Sequence, residues 1–124
     1  MTNIVQLPRP RNESKMWHVV LTVAGSAVSA EVIKRGLENL AHDHPFLLSG
    51  RFANDRAEVR YWEEAENAAA VIELAMRLWS EHQESAGLPQ WRVVGIEVVD
   101  RETFHRRGTA GLVSAGGIGP FASS

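Results

Sequence analysis

Between Trp17 and Val99 the spacing of apolar residues switches repeatedly between a two-residue and a helical repeat. A chain with that pattern must mix strands with helices. Trp17 to Ala24 (WHVVLTVA) is short and rich in β-branched residues, which predicts a strand, and Gly25 with Ser26 breaks it. From Ser29 the spacing of Ile33, Leu37 and Leu40 is helical, with Lys34, Arg35 and Glu38 on the opposite side. Ser29 suits the N-cap, and Glu31 lies in the first turn, where the helix dipole favours an anion. Gly36 inside this helix costs about 1 kcal/mol against Ala, which predicts a close helix–sheet contact.

Pro45 ends the helix, and Phe46 to Phe52 (FLLSGRF) predicts a second strand. Asn54-Asp55-Arg56 makes a turn into a third, alternating strand, Ala57 to Trp62, so these two strands form a hairpin. A second helix starts near Asn67 and carries an apolar stripe through Val71, Ala75 and Leu78, widened by Ile72, Met76 and Trp79. Gly87 and Pro89 stop it, and Trp91 to Val99 is the fourth strand. The order β-α-β-β-α-β predicts an α+β, ferredoxin-like sandwich: a four-stranded antiparallel sheet with two helices on one face.

Residues 17–107 are expected to form this domain. Residues 1–16 are expected to be a flexible tail, because Pro8 and Pro10 interrupt any regular element. Residues 108–124 are expected to be a flexible Gly/Ala/Ser-rich extension with little side chain to bury. Within it Leu112, Val113, Ile118 and Phe121 are the residues able to dock on the domain or on a partner.

Strand alternation assigns Val19, Leu21, Val23, Leu48, Phe52, Val59, Tyr61, Val94, Ile96 and Val98 to the face beneath the helices. The other face then carries His18, Thr22, Ser49, Arg51, Glu58, Arg60, Trp62 and Glu97, together with Val20 and Leu47. Such a mixed, charged surface suits either solvent or association with a protein partner or a second copy. His18, Arg51, Arg60 and Trp62 are its candidate binding residues. The leading expectation is a non-enzymatic interaction module that associates through this open face or an edge strand.

Composition closes several other routes. The chain has no cysteine, which excludes disulfides and thiolate ligands, and no cofactor or metal site is expected from its motifs. His42-Asp43-His44 places two imidazoles two residues apart, which do not share a helix face, so a polar helix end explains them. Glu63, Glu64 and Glu66 suit the entry to the second helix. Asp100 to Arg107 (DRETFHRR) either extends the fourth strand or starts a short helix, and its arginines form a candidate basic patch. A formal net charge of -2 gives the whole molecule no attraction for nucleic acid. No apolar run reaches membrane-spanning length, and the first residues lack the apolar core of a secretory signal, so a cytoplasmic location is expected.

The segment GRFANDRAEVRYWEE, followed by Leu78-Trp79 late in a helix and then a Trp-Arg-Val-Val strand, resembles the acylphosphatase family. Gly50, Phe52, Asn54, Glu58 and Val59 fall at comparable places. The resemblance implies the ferredoxin-like fold and a loop after the first strand that cradles phosphate. It also implies an Arg at the start of the first helix and an Asn orienting water. Asn54 matches that Asn, whereas Ile33 stands in the slot of the Arg and Ser29 near an expected Gly. The resemblance therefore implies an alternative function, a degenerate phosphate-handling enzyme or small-ligand binder, with Asn54 as its catalytic candidate. A third alternative is RNA binding, because RRM domains share the element order. Here the third strand, AEVRYW, lacks their basic-Gly-aromatic run, and Glu58 and Glu97 oppose a phosphate backbone.

Overall fold

A computed structural model describes residues 14–107 and 117–121. Five strands and three helices follow in the order β1 (Lys15–Ala24), α1 (Ala30–Asp43), β2 (Leu47–Ala53), β3 (Arg56–Ala65), α2 (Ala68–Ala86), β4 (Arg92–Asp100), α3 (Arg101–Arg106) and β5 (Gly117–Pro120). One sheet holds all five strands in the order β4-β1-β3-β2-β5. The first four pair antiparallel, and β5 runs parallel to β2. The α+β class expected from the sequence is present. The sheet, however, is mixed and five-stranded, and a third helix joins the two expected.

The helix ends are where the side chains put them. Ser29 caps α1 by accepting the Val32 N–H, and Asn67 caps α2 by accepting the Ala70 N–H. Gly87, in the left-handed region, closes α2. Ile33, Leu37 and Leu40 of α1 and Val71, Ala75, Leu78 and Trp79 of α2 are buried against one face of the sheet. Gly36 does allow a close contact, but with the end of α2 rather than with the sheet. A Cβ there would stand 3.0 Å from the Gly87 carbonyl oxygen and from a Leu88 methyl.

The strand faces follow the expected alternation at Val19, Leu21, Val23, Phe52, Val59 and Tyr61, all buried beneath the helices. Leu48 and Val94 break it, and both are exposed. Each sits in a β-bulge. In β2, Leu47 pairs with Tyr61 and Ser49 with Arg60, leaving Leu48 as the extra residue. In β4, Val93 pairs with Val23 and Gly95 with Thr22, leaving Val94 unmatched. A bulge adds one residue to one strand, so the inward set shifts by one on its far side. Leu47 and Val93 therefore pack against the core in place of Leu48 and Val94.

Three tryptophans anchor this layer with their N–H groups satisfied. Trp17 donates to Ala65 O at 2.9 Å, Trp79 to Pro89 O at 3.2 Å and Trp91 to Ser26 O at 2.7 Å. Trp79 and Trp91 stack almost parallel, with ring centroids 6.4 Å apart.

The segment expected to be a C-terminal tail contains ordered structure. Gly117–Pro120 adds the fifth strand, and Ile118 packs on the core, one of the two docking modes expected of it. At the other end, Lys15 and Met16, expected in the N-terminal tail, already belong to β1, paired with Ala65 and Glu64. Residues 1–13, 108–116 and 122–124 lie outside the described residues, and with them the rest of the tail expectations, including Leu112 and Val113.

Candidate functional site

The sheet face turned away from α1 and α2 is built by the alternate residues of each strand. Register lines them up in rows. One row crosses the sheet as Glu97, Val20, Arg60, Ser49 and Gly117; the next as Gly95, Thr22, Glu58, Arg51 and Gly119. A third row begins with Val99, His18 and Trp62.

That third row is not open. Asp100 accepts the Thr103 N–H at 2.7 Å and so starts α3 directly at the end of β4. The short helix folds back over the face and plants Phe104 on His18, with ring centroids 4.2 Å apart. Trp62 meets His18 edge-on at 5.3 Å and Phe104 edge-on at 5.1 Å. Arg107 then reaches the Glu97 carboxylate at 3.1 Å, fastening the far end of the turn to β4. The expectation of helices on one face only is thus corrected, because α3 lies on the other. The sequence marked DRETFHRR as a possible short helix, and Phe104 was its lone large apolar residue, the one signal for a covering role.

The four candidate binding residues accordingly divide. His18 is buried at 4% exposure, so it is a packing residue of this face and not an accessible one. Burial holds its imidazole below the usual range; the Arg60 guanidinium pushes the same way and Glu97 opposes. Trp62 is half-buried in the same aromatic cluster. Arg60 is half-buried outside it and pairs with Glu58 at 3.2 Å. Arg51 lies across from Glu58 in the ladder and donates from Nη1 to Gly117 O at 2.7 Å and to Gly50 O at 2.9 Å. The structure therefore brings Arg51, Glu58 and Arg60 together, half-buried, on the part of the face beside α3, where Val20 and Ser49 between them are buried, and sets His18 and Trp62 beneath the helix.

The loop after β1 has a different geometry from a phosphate cradle. The Gly25 N–H is donated to Asp55 O at 3.1 Å and the Val28 N–H to Asn54 O at 2.9 Å, so the turn between β2 and β3 already holds them. The Trp91 ring fills the space over Gly25. Ile33 is fully buried, and Arg35, exposed on the outside of α1, faces Glu31 at 3.9 Å. The Asn54 side chain is on the surface.

A second polar spot went unnoticed in the sequence. His44 lies at the end of α1 edge-on to Tyr61, with centroids 5.2 Å apart. Its Nδ1 and the Tyr61 Oη are buried without a hydrogen-bond partner among the described residues. Burial lowers the pKa of His44, with Glu63 opposing and His82 assisting, and burial raises that of Tyr61. His42 and Asp43 are exposed, so the His-Asp-His run does not converge. Among the described residues no three His, Asp or Glu side chains are grouped to hold a metal ion, and no helix is long and apolar enough to cross a membrane.

Comparison with family models matches residues 16–114 to a domain of unknown function, DUF8830. The chain belongs to the DUF8830 family. The match runs from β1 through α3, so the aromatic cluster and the charged rows of the outer face lie within the DUF8830 region, whereas β5 lies beyond it. No curated protein matches the chain.

Proposed function

We propose that this DUF8830 domain is a non-enzymatic self-association module that pairs with a second copy through the charged part of its outer sheet face beside α3. The observation that carries this reading is the order of charge across two adjacent rows. Glu97 and Arg60 stand in one, Glu58 and Arg51 in the next, separated by Val20, Thr22, Ser49 and the glycines 95, 117 and 119. Acid and base alternate, so the same patch turned about a two-fold axis meets opposite charge, which an isologous interface requires. Arg60 and Glu58 keep only 27% of their side-chain surface, so their pairing is partly desolvated before any partner arrives. The strand order of β1 to β4, with α1 and α2 on one face, supports reading this part as a ferredoxin-like scaffold.

The experiment is the mass of the full-length chain in solution by size exclusion with light scattering, over a concentration series. Wild type is expected to dimerise. Arg60→Glu places like charges in the two-fold contact and is expected to leave a folded monomer. The double variant Arg60→Glu with Glu58→Arg restores alternation and is expected to restore the dimer. A wild type that stays monomeric throughout the series removes the reading.

The alternative of a phosphate-handling enzyme places its weight on Asn54, and the engaged N–H groups of Gly25 and Val28 argue against it. RNA binding is opposed by Glu58 and Glu97 on the same face and by the edge-on packing of Trp62.

A further inference from the structure

The β2 edge is a built site for one particular extended segment. Parallel pairing sets Ser49 beside Gly117, Gly50 beside Ile118, Arg51 beside Gly119 and Phe52 beside Pro120. Gly50 is buried and its missing side chain makes a notch. A Cβ there would lie 3.0 Å from the Ile118 Cδ1 and 3.4 Å from the Leu37 Cδ1. Ile118 fills that notch and reaches the core. Three further contacts read the segment around it. Arg51 Nη1 donates to Gly117 O at 2.7 Å, the Phe121 N–H donates to Phe52 O at 3.0 Å, and the Arg56 guanidinium lies 5.0 Å from the Phe121 ring centroid. Because the Phe121 N–H points at β2, strand alternation turns the nitrogen of Pro120 to the open side. Its missing N–H costs the ladder nothing and blanks the new edge against a further strand.

We infer that the β2 edge is a strand-acceptor site for a Gly-aliphatic-Gly-Pro-aromatic segment, filled here by residues 117–121 of the same chain and open to exchange with those residues of a second copy. Backbone pairing supplies the affinity, and the Gly50 notch with the Arg51 and Arg56 guanidinium groups supplies the specificity, as in other strand-addition sites. A four-residue parallel ladder is a modest attachment. Nine residues separate Arg107 from Gly117. Fully extended they would span on the order of 30 Å, so chain length does not tie the segment to its own sheet. Exchange of an identical element between copies conserves each of these contacts within each acceptor. This inference concerns a sheet edge; it shares Arg51, Gly117 and Gly119 with the face-to-face pairing proposed above, but does not depend on that pairing.

Two full-length variants test it, both carrying Arg60→Glu so that pairing through the outer face is removed. Gly50→Val blocks the acceptor and leaves the donor segment intact; Ile118→Lys spoils the donor and leaves the acceptor intact. Each alone is expected to be monomeric by native mass spectrometry, and their mixture is expected to give a one-to-one heterodimer. A mixture that stays monomeric overturns the inference. In a second measurement a synthetic peptide of residues 115–123 is added to the Ile118→Lys chain, so the result does not depend on Gly50→Val folding. The peptide is expected to raise the melting temperature by several degrees, and the same peptide with Lys in place of Ile is expected to leave it unchanged. No shift at a hundredfold excess of the native peptide overturns the acceptor site itself.

Discussion

Phe104 lies against His18 at a centroid distance of 4.2 Å, tilted by 33°. That contact joins α3 to β1, the second strand across the sheet, 86 positions earlier in the chain by subtraction of the two residue numbers. Phe104 is the buried residue of α3. The helix is too short to persist on its own hydrogen bonds, so this ring decides whether it stays folded.

Replacing Phe104 by Ala is therefore expected to release α3 and to lower stability by about 3 kcal/mol, the low end for truncating a buried phenylalanine. Urea unfolding followed by Trp fluorescence measures it. The emission should also shift to the red, because Trp62 loses its edge-on neighbour.

Acid should weaken the fold. Burial and Arg60 lower the pKa of His18 below its ordinary 6.5, and burial lowers that of His44 in the same direction. The unfolded chain then binds more protons than the native one, so stability is full above about pH 6.5 and falls as pH drops through the native values. His18→Phe keeps an aromatic ring under Phe104 and removes the titration. Its urea midpoint is expected to change less than that of wild type between about pH 7.5 and pH 5, with His44 supplying the remaining slope.

Tyr61 offers the opposite kind of test. Its hydroxyl is buried with no partner among the described residues, so Tyr61→Phe deletes a desolvated oxygen and keeps the ring on His44. A rise in stability of about 1 kcal/mol is expected from equilibrium unfolding, since an unmade hydrogen bond costs more than none at all.

Gly25→Ala probes the loop after β1. The new methyl would collide with the Trp91 ring, whose Nε1–H holds Ser26 O at 2.7 Å. Either the ring moves and loses that bond or the loop shifts away from the turn it grips. A cost of about 2 kcal/mol is expected in thermal or urea unfolding, with reduced protection of the Val28 amide in hydrogen exchange.

The order of the first four strands and two helices was legible because two-residue alternation and helical spacing are local patterns in the sequence. The faces were legible only as far as the alternation held. Leu48 and Val94 look like inward residues in any reading of period two, and each is displaced by a bulge that depends on the register of the neighbouring strand. His18 looked accessible for a related reason. Its exposure is fixed by Phe104, which arrives from beyond the last expected strand. The fifth strand was the least legible element. Gly117, Gly119 and Pro120 argue against a strand by propensity, and they are admitted because Gly50 leaves room for Ile118 and because Arg51 holds the Gly117 carbonyl. Of the candidate site, Arg51 and Arg60 could be placed from alternation alone; which of their neighbours remain uncovered could not.

The bulge at Val94 has a consequence for how copies of this molecule can accumulate. β4 is an outer strand of the sheet, and a chain approaching it would find a regular ladder only from Gly95 to Asp100 before the spacing breaks. Fibres grow by repeating one strand contact without end, and a strand whose repeat fails partway along makes a poor template for the next. At crowded concentrations this rim should therefore stop growth, so that assemblies of the domain remain small and countable.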